Sequence, residues 1–381
     1  MFYHLPPAGN RIIWEPTSVP LQKLKERFSP FNVFFYGSGA QSLAVAIKSS
    51  IKNRNIDKPE VLLSAYSCPE LVSAILYAGA RPVLVDLERQ KPWIQLSDLE
   101  SKITKNTAAV IVVNLFGLPE RLDKINEICK VHNLSLIEDC AQSFPDVTDD
   151  RFWKGDFIIL SFGRGKPVST LGGGALLCRN SDLMQGLLEE SNAIQKSSNL
   201  ELAKYKLKIY LYNLLLQPRL YFIPNSLPFL KLGETKFKPM HEIEPISENN
   251  LSILDANIEK YISSKTDETQ HWLSEIIAKS EYTDLAKACL EVNKQTTLLR
   301  YPILAQTRIQ RDELYLKLNK AGLGASKMYQ RPLNEIQGLE EMFMAQGQFP
   351  NAREFAESLL TLPTHAGLKM KDIQALKKIL L

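Results

Sequence analysis

Two segments of this chain carry residue types that could do chemistry together. They are Ile137-Glu138-Asp139-Cys140-Ala141-Gln142 and Ser161-Phe162-Gly163-Arg164-Gly165-Lys166. Each reads as a buried strand that runs into a loop, with Asp139 and Lys166 at or just past the strand end. A carboxylate and an amine presented from neighbouring strand ends meet the needs of pyridoxal phosphate chemistry. The amine can form a Schiff base, and the carboxylate can hold a proton on the pyridine nitrogen. Read singly, Asp139 would be a helix N-cap or a loop ion pair, and Lys166 a surface lysine. The pairing is what gives them meaning.

A third segment joins them. Gly37-Ser38-Gly39-Ala40-Gln41-Ser42 follows the apolar run Val33 to Tyr36 and opens a helix containing Leu43, Val45 and Ile47. Small residues at a helix start leave backbone N–H groups and the positive dipole end free for a phosphate. A dinucleotide fingerprint would want glycine at Ser42 and an acidic residue at Ser64, so a single phosphate fits better than a pyrophosphate. A plain strand-to-helix turn is the alternative. Ser161 can donate its hydroxyl to a phosphate. Gln142 could bond a ring oxygen or a phosphate, or only cap a turn. Arg164 could depress the lysine's pKa by like-charge repulsion or bind a substrate carboxylate or phosphate.

The surrounding elements must place these groups. Through residue 250, apolar β-rich runs alternate with amphipathic helical stretches. Strands are expected at Val61–Ser64, Pro82–Asp86, Ala108–Val113, Leu134–Glu138, Phe157–Phe162 and Ala175–Cys178. Between them, Val72, Ile75 and Leu76, then Leu122, Ile125 and Ile128, recur at helical spacing. Unbroken apolar strands separated by helices mean an α/β fold with a mainly parallel sheet covered on both faces. Such sheets bind ligands at the carboxyl ends of their strands. After Asn250 the texture changes to a long helix over Ser252–Ser264 and a smaller mixed region. We expect a large domain over 1–250, with an N-terminal arm and a helical insertion about 183–245. A small C-terminal α/β domain over 251–381 follows.

Composition excludes several classes. The chain has 381 residues, is 45% hydrophobic, and carries a net charge of +4 without blocks of like charge. Nothing marks a nucleic-acid surface. Its five cysteines are widely spaced with no CxxC, which reads as reduced thiols in a cytoplasmic protein with no metal site. The start of the chain lacks the pattern of a signal peptide. The most apolar stretch, Ile209–Leu230, is interrupted by Pro218, Arg219, Pro224 and Pro228, so it does not span a membrane. A packing helix plus an extended arm is the expectation. The alternative is an interfacial patch that touches a membrane or a partner.

Taken jointly, these segments resemble the StrS/DegT-type sugar aminotransferases. Ser38-Gly39-Ala40-Gln41 is similar to that family's SGTA loop, Ser64 to Pro69 to its P-A-[FY]-T segment, and Asn114 to Pro119 to its HLFGxP stretch. Glu138 to Gln142 resembles EDAAQ, Ser161 to Lys166 resembles SFxxxK, and Gly172-Gly173-Gly174 resembles GEGG. Phe349 to Ala352 and Leu362 to His365 resemble FPNA and LPLH.

The resemblance implies a fold-type-I pyridoxal phosphate transferase with a seven-stranded sheet in its large domain. It also implies a homodimer with the active site at the subunit boundary. Lys166 would form the Schiff base and shuttle the proton, and Asp139 would pair with the pyridinium nitrogen. Gln142 would lie near the cofactor's phenolic oxygen. Ser161 and the amides of Ala40 and Gln41, beside Gly39, would hold the phosphate. Cys68 stands where relatives often place an aromatic residue over the ring, so Cys68 itself or a neighbour such as Tyr66 would take that place. The family's N-Y-R-M-S segment appears as Glu248-Asn249-Asn250-Leu251-Ser252, without the arginine.

The expected activity moves an amino group from an amino acid, glutamate in the first instance, to a nucleotide-linked keto sugar in surface-polysaccharide or amino-sugar biosynthesis. Two alternatives remain: sugar dehydration, whose practitioners tend to carry histidine where Lys166 stands, and a non-catalytic sensor or scaffold that binds the cofactor.

Overall fold

Seven short apolar strands make one sheet. They are β1 (Asn32–Tyr36), β2 (Glu60–Ser64), β3 (Arg81–Val85), β4 (Thr107–Val113), β5 (Ser135–Asp139), β6 (Phe157–Ser161) and β7 (Gly174–Cys178). The structure, a computed structural model, describes residues 3–144, 152–179, 194–225, 235–264, 267–290 and 297–381. Strand order is β1-β7-β6-β5-β4-β2-β3. Strands β2 to β6 pair in parallel. β7 runs antiparallel to both its neighbours, β1 and β6. The mainly parallel sheet is therefore present.

Alternation along each strand divides the core. Phe34 and Tyr36 of β1, Val61 and Leu63 of β2, and Phe157 and Ile159 of β6 enter one apolar cluster. Val33 and Phe35, with Ile158 and Leu160, enter a second cluster on the other face. Each large side chain so buried contributes ~1.5–3 kcal/mol, and a one-residue slip would exchange the faces. Helices α1 (Pro20–Phe28), α2 (Gly39–Arg54), α3 (Pro69–Tyr77), α4 (Leu96–Lys102) and α5 (Leu122–Val131) cover the sheet. α2 and α3 share the first cluster, α1 the second, and α5 a third over β4 and β5. Leu76, expected on the apolar face of α3, is instead 38% exposed.

The apolar stretch at 209 belongs to a longer helix, α6 (Asn199–Leu215), followed by the short α7 (Phe222–Asn225). α6 starts early because Ser198 and Glu201 form a capping box. Ile209 packs with Ile12 and Ile253, whereas Tyr210 and Leu211 are exposed. Residues 183–193 and 226–234 of the expected insertion lie outside the described residues, as do 226–230 of the apolar stretch. No described helix is long and apolar enough to cross a membrane.

Strands β8 (Ile194–Gln195) and β9 (Ile246–Ser247) pair in parallel and lead into α8 (Glu248–Ser263). α8 begins four residues ahead of the expected Ser252, because Ser247 Oγ accepts from Asn249 N. It runs through position 250, and its Leu251, Leu254 and Ile258 pack with Leu24 and Phe28 of α1. A second, antiparallel sheet holds β10 (Thr283–Asp284), β11 (Arg300–Leu304) and β12 (Leu359–Pro363). Its Tyr301, Ile303, Leu360 and Leu362 join the cluster under α2 and α3.

Candidate active site

The carboxyl ends of β1, β5 and β6 converge. Tyr36 and Ser161 both lie in register with Gly174 of β7, so the start of α2 is drawn against the end of β6. Gly39 makes this approach possible. A Cβ there would stand 2.8 Å from Ser161 Cβ, closer than carbon atoms tolerate. Ser38 caps α2 by accepting from Gln41 N at 3.2 Å. The Gln41 amide is thus already used, and its side chain turns away to donate to Glu242 O. The N–H groups of Gly39 and Ala40, in the first turn, have no intrahelical acceptor. Ser161 Oγ stands beside them.

Asp139 ends β5 and is 5% exposed. Its Oδ1 accepts from Ala141 N at 2.9 Å. Burial raises its pKa, and the nearby Lys166 ammonium pulls it back down. Lys166 follows β6 on the loop through Gly163 and Gly165, the latter at φ +71°, a conformation that suits glycine. The same ammonium acts on the Cys68 thiol, which burial nonetheless pushes up to about 11. Lys166 is thus within electrostatic reach of both Asp139 and Cys68.

Gln142 is buried with both ends of its amide engaged. Oε1 accepts from Phe116 N at 3.1 Å, and Nε2 donates to Tyr329 Oη at 3.2 Å. One N–H of its two remains. Phe116 takes φ +61°, so this bond helps hold a strained turn. Tyr329 also meets the Cys68 thiol, and burial drives its phenol well above the usual range. Tyr66 does not take the place sought for it as ring cover. It is fully buried, edge-on to Phe355 at 5.0 Å and to Tyr329 at 5.6 Å. Tyr329 is the aromatic residue that reaches the site.

Several contributors escaped sequence reasoning. The lysine loop is held from outside its own segment. Asn10 Nδ2 donates to Pro167 O at 2.7 Å, and Tyr205 Oη donates to Thr170 O at 2.6 Å. Tyr212 bonds to the Gly165 backbone and the Ser169 side chain. Asn250 Nδ2, where the resemblance lacks its arginine, donates to Thr170 O and to Gly172 O. No local motif announces Tyr205, Tyr212 or Tyr329; only the mild aromatic content of α6 hints at the first two. Arg164 is exposed, and its charge is felt by Tyr212.

These groups fit pyridoxal phosphate. Gly39 N, Ala40 N and Ser161 Oγ lie together at the start of α2 as a cradle of candidate donors. Among the described residues, Asp139 Oδ2 has no hydrogen-bond partner, which suits a protonated ring nitrogen. A cavity of 610 Å³ opens beyond the lysine loop, walled by Asn10, Arg11, Pro167, Val168, Ser169 and His365 among others. It does not include Asp139 or Lys166 in its walls, so we regard it as neighbouring the cofactor cradle. Among the described residues no cluster of three or more His, Cys, Asp or Glu could hold a metal ion.

A lysine and a buried carboxylate at the strand ends of a mainly parallel, seven-stranded sheet, beside a phosphate-type helix start, define a fold-type-I architecture of the pyridoxal phosphate class. The chain belongs to the DegT/DnrJ/EryC1/StrS aminotransferase family, whose model matches residues 22–199 and 256–380. It is 31% identical over 166 residues to GDP-perosamine synthase of Escherichia coli O157:H7, covering 43% of this chain and 46% of that protein. It is 24% identical over 327 residues to UDP-4-amino-4,6-dideoxy-N-acetyl-beta-L-altrosamine transaminase of Campylobacter jejuni, covering 84% and 78%. The first two curated relatives are matched over about half their length, 46% and 49%. Among solved structures, Helicobacter pylori PseC, an aminotransferase involved in the biosynthesis of pseudoaminic acid, has a TM-score of 0.71 at 17% identity. That match covers 99% of this chain and 98% of that one. At that identity the likeness concerns the fold.

Proposed function

We propose that this protein is a pyridoxal phosphate-dependent aminotransferase that moves an amino group from an amino acid, glutamate in the first instance, to a nucleotide-linked keto sugar. The names of its relatives supply the substrate class. What carries the chemistry is the buried Asp139 carboxylate within electrostatic reach of Lys166, with Gly39 packed against Ser161 at the start of α2.

When bound, the cofactor supplies an electron sink for charge developing at the substrate carbon. Each remaining role falls to the chain. Gly39 N, Ala40 N and Ser161 Oγ bind the phosphate, and the Gln41 amide would join them only by releasing Ser38. Asp139 Oδ2 holds the proton on the ring nitrogen. Lys166 Nζ would hold the cofactor and then take up and return the proton at the substrate carbon. Gln142 and Tyr329 fix the wall behind Cys68. Donor and acceptor take turns in one site, which gives ping-pong kinetics.

We further propose a cytoplasmic homodimer of two-domain protomers. The division, expected at 250, falls better after Ser263, because α8 packs with α1. Sugar dehydration is disfavoured by a lysine at position 166.

The test uses purified protein loaded with cofactor. Glutamate should bleach the lysine-linked absorbance, and one member of a panel of nucleotide-linked keto sugars should restore it. Cofactor binding with no bleaching by any amino acid would sink the proposal in favour of a sensor or scaffold.

A further inference from the structure

Arg300 opens β11, and its Nε and Nη1 are closed off from solvent with no hydrogen-bond partner among the described residues. No described carboxylate pairs with it. A half-buried guanidinium with two of its three nitrogens closed off and unpartnered is unfavourable unless something compensates.

Among the described residues, no carboxylate acts on it. The groups that face it are the phenols of Tyr221 and Tyr329, both with pKa values raised by burial. Its charge is also felt by His365. That ring accepts from Gly367 N at Nδ1, 3.1 Å away, which leaves Nε2 to donate to Pro6 O at 2.9 Å. Burial lowers the pKa of His365, so it stays neutral.

The location is specific. Tyr329, whose phenol acts on Arg300, also bonds to Gln142 and meets Cys68 in the wall of the site. The backbone is firm there, since Leu299 N donates to Phe116 O at 2.8 Å and β11 is paired along its length with β12. Tyr221 comes from residues 200–255, which the family model leaves unmatched. The neighbouring 610 Å³ cavity, bounded by His365, is lined by Arg11, Arg219, Lys260, Lys369 and Lys371 and by no Asp or Glu. An approach of that sign attracts anions.

We propose that Arg300 is the receptor for an oxyanion of the substrate, with Tyr221 closing the pocket over it. The oxyanion is the carboxylate of the amino donor or a phosphate of the nucleotide-linked acceptor. The inference rests on the amino-transfer reading for the identity of these substrates, but anion binding can be measured without turnover.

Glutarate and inorganic pyrophosphate are titrated separately, by calorimetry, into wild-type holoprotein, Arg300→Met and Arg300→Lys. Wild type should bind at least one probe. Arg300→Met should bind it roughly 10- to 100-fold more weakly, with the lysine variant in between. The thermal midpoint of ligand-free Arg300→Met should equal or exceed that of wild type, because an unpaired charge has been removed. Loss confined to glutarate assigns the carboxylate; loss confined to pyrophosphate assigns the phosphate. In turnover, KM for the matching substrate rises while kcat stays within about threefold.

Failure of wild type to bind either probe, or equal affinities in all three proteins, overturns the proposal. So does a lowered midpoint with probe affinity unchanged, or a fall in kcat with both KM values unchanged. Should Arg300→Met not fold, Arg300→Gln takes its place under the same criteria. If no amino acid reacts with the holoprotein, the amino-transfer reading fails on its own, while the titrations still decide the role of Arg300.

Discussion

Two walls enclose the candidate site, and they are built in different ways. The cofactor wall is made of short segments at strand ends: Gly39 and Ala40, Asp139, Ser161 and Lys166. Its working groups are backbone amides and side chains fixed by the sheet register. The opposite wall gathers Tyr205, Tyr212 and Tyr221 from one segment with Arg300 and Tyr329 from another. Its groups are long side chains held by tertiary contacts. The first wall suits a constant ligand, and the second suits one that differs between relatives. The family model covers the cofactor wall together with Arg300 and Tyr329, and omits residues 200–255, the source of Tyr205, Tyr212 and Tyr221.

Substitutions can break this contrast, and the largest effects should fall on the cofactor wall. Lys166→Ala should abolish bleaching by glutamate and lower turnover on the order of 10⁴-fold, with the thermal midpoint little changed. Retained bleaching would remove Lys166 from its role. Asp139→Asn keeps the Ala141 bond but loses the charge that holds the ring proton. It should cost about 10²- to 10³-fold in kcat, read by single-turnover kinetics. Gly39→Ala drives a methyl group to 2.8 Å from Ser161 Cβ. Overpacking of this kind costs about 1–3 kcal/mol, so cofactor affinity should fall roughly tenfold or more, measured by fluorescence titration. Unchanged affinity would mean that the cradle lies elsewhere.

The far wall should give smaller effects. Tyr205→Phe and Tyr212→Phe each remove a bond to the lysine loop, worth about 1 kcal/mol. We expect roughly threefold to tenfold changes in KM, with cofactor affinity preserved. If both variants instead release cofactor, α6 belongs functionally to the first wall.

The smallest effect on activity is expected next door to Asp139. Glu138 lies on the other face of β5, where its Oε1 accepts from Lys154 N and Gly155 N. Burial raises its pKa from 4.5 to about 7, and Glu120 behaves in the same way. In the folded state each therefore keeps a proton that the unfolded chain releases near pH 4.5. Stability from this source is full below pH 4.5 and declines as pH rises towards about 7, by at most on the order of 3 kcal/mol per group. Glu138→Gln should flatten the fall of the thermal midpoint between pH 4.5 and 7 by about half, leaving turnover unchanged. An unaltered slope would show that Glu138 contributes none of it.

Much of the fold was legible because its signals are local. Unbroken apolar strands such as Ala109–Val113 cannot be half-exposed, and their alternation with helices requires crossover connections. The strand ends then placed Asp139 and Lys166 on one edge. Helix ends were less legible where a capping residue lay ahead of the apolar pattern, as with Ser198 for α6 and Ser247 for α8.

By itself the sequence determined the cofactor wall, since each of its segments is a handful of contiguous residues whose chemistry is intrinsic. It also placed an amine and a carboxylate at neighbouring strand ends of one sheet. Only the tertiary structure decided that Tyr66 is sealed in the core while Tyr329 faces Cys68. It likewise decided that Arg300 Nε and Nη1 find no partner among the described residues. These outcomes depend on contacts between residues tens to hundreds of positions apart. Whether a buried group finds a partner is a property of the packed whole, which no single segment encodes.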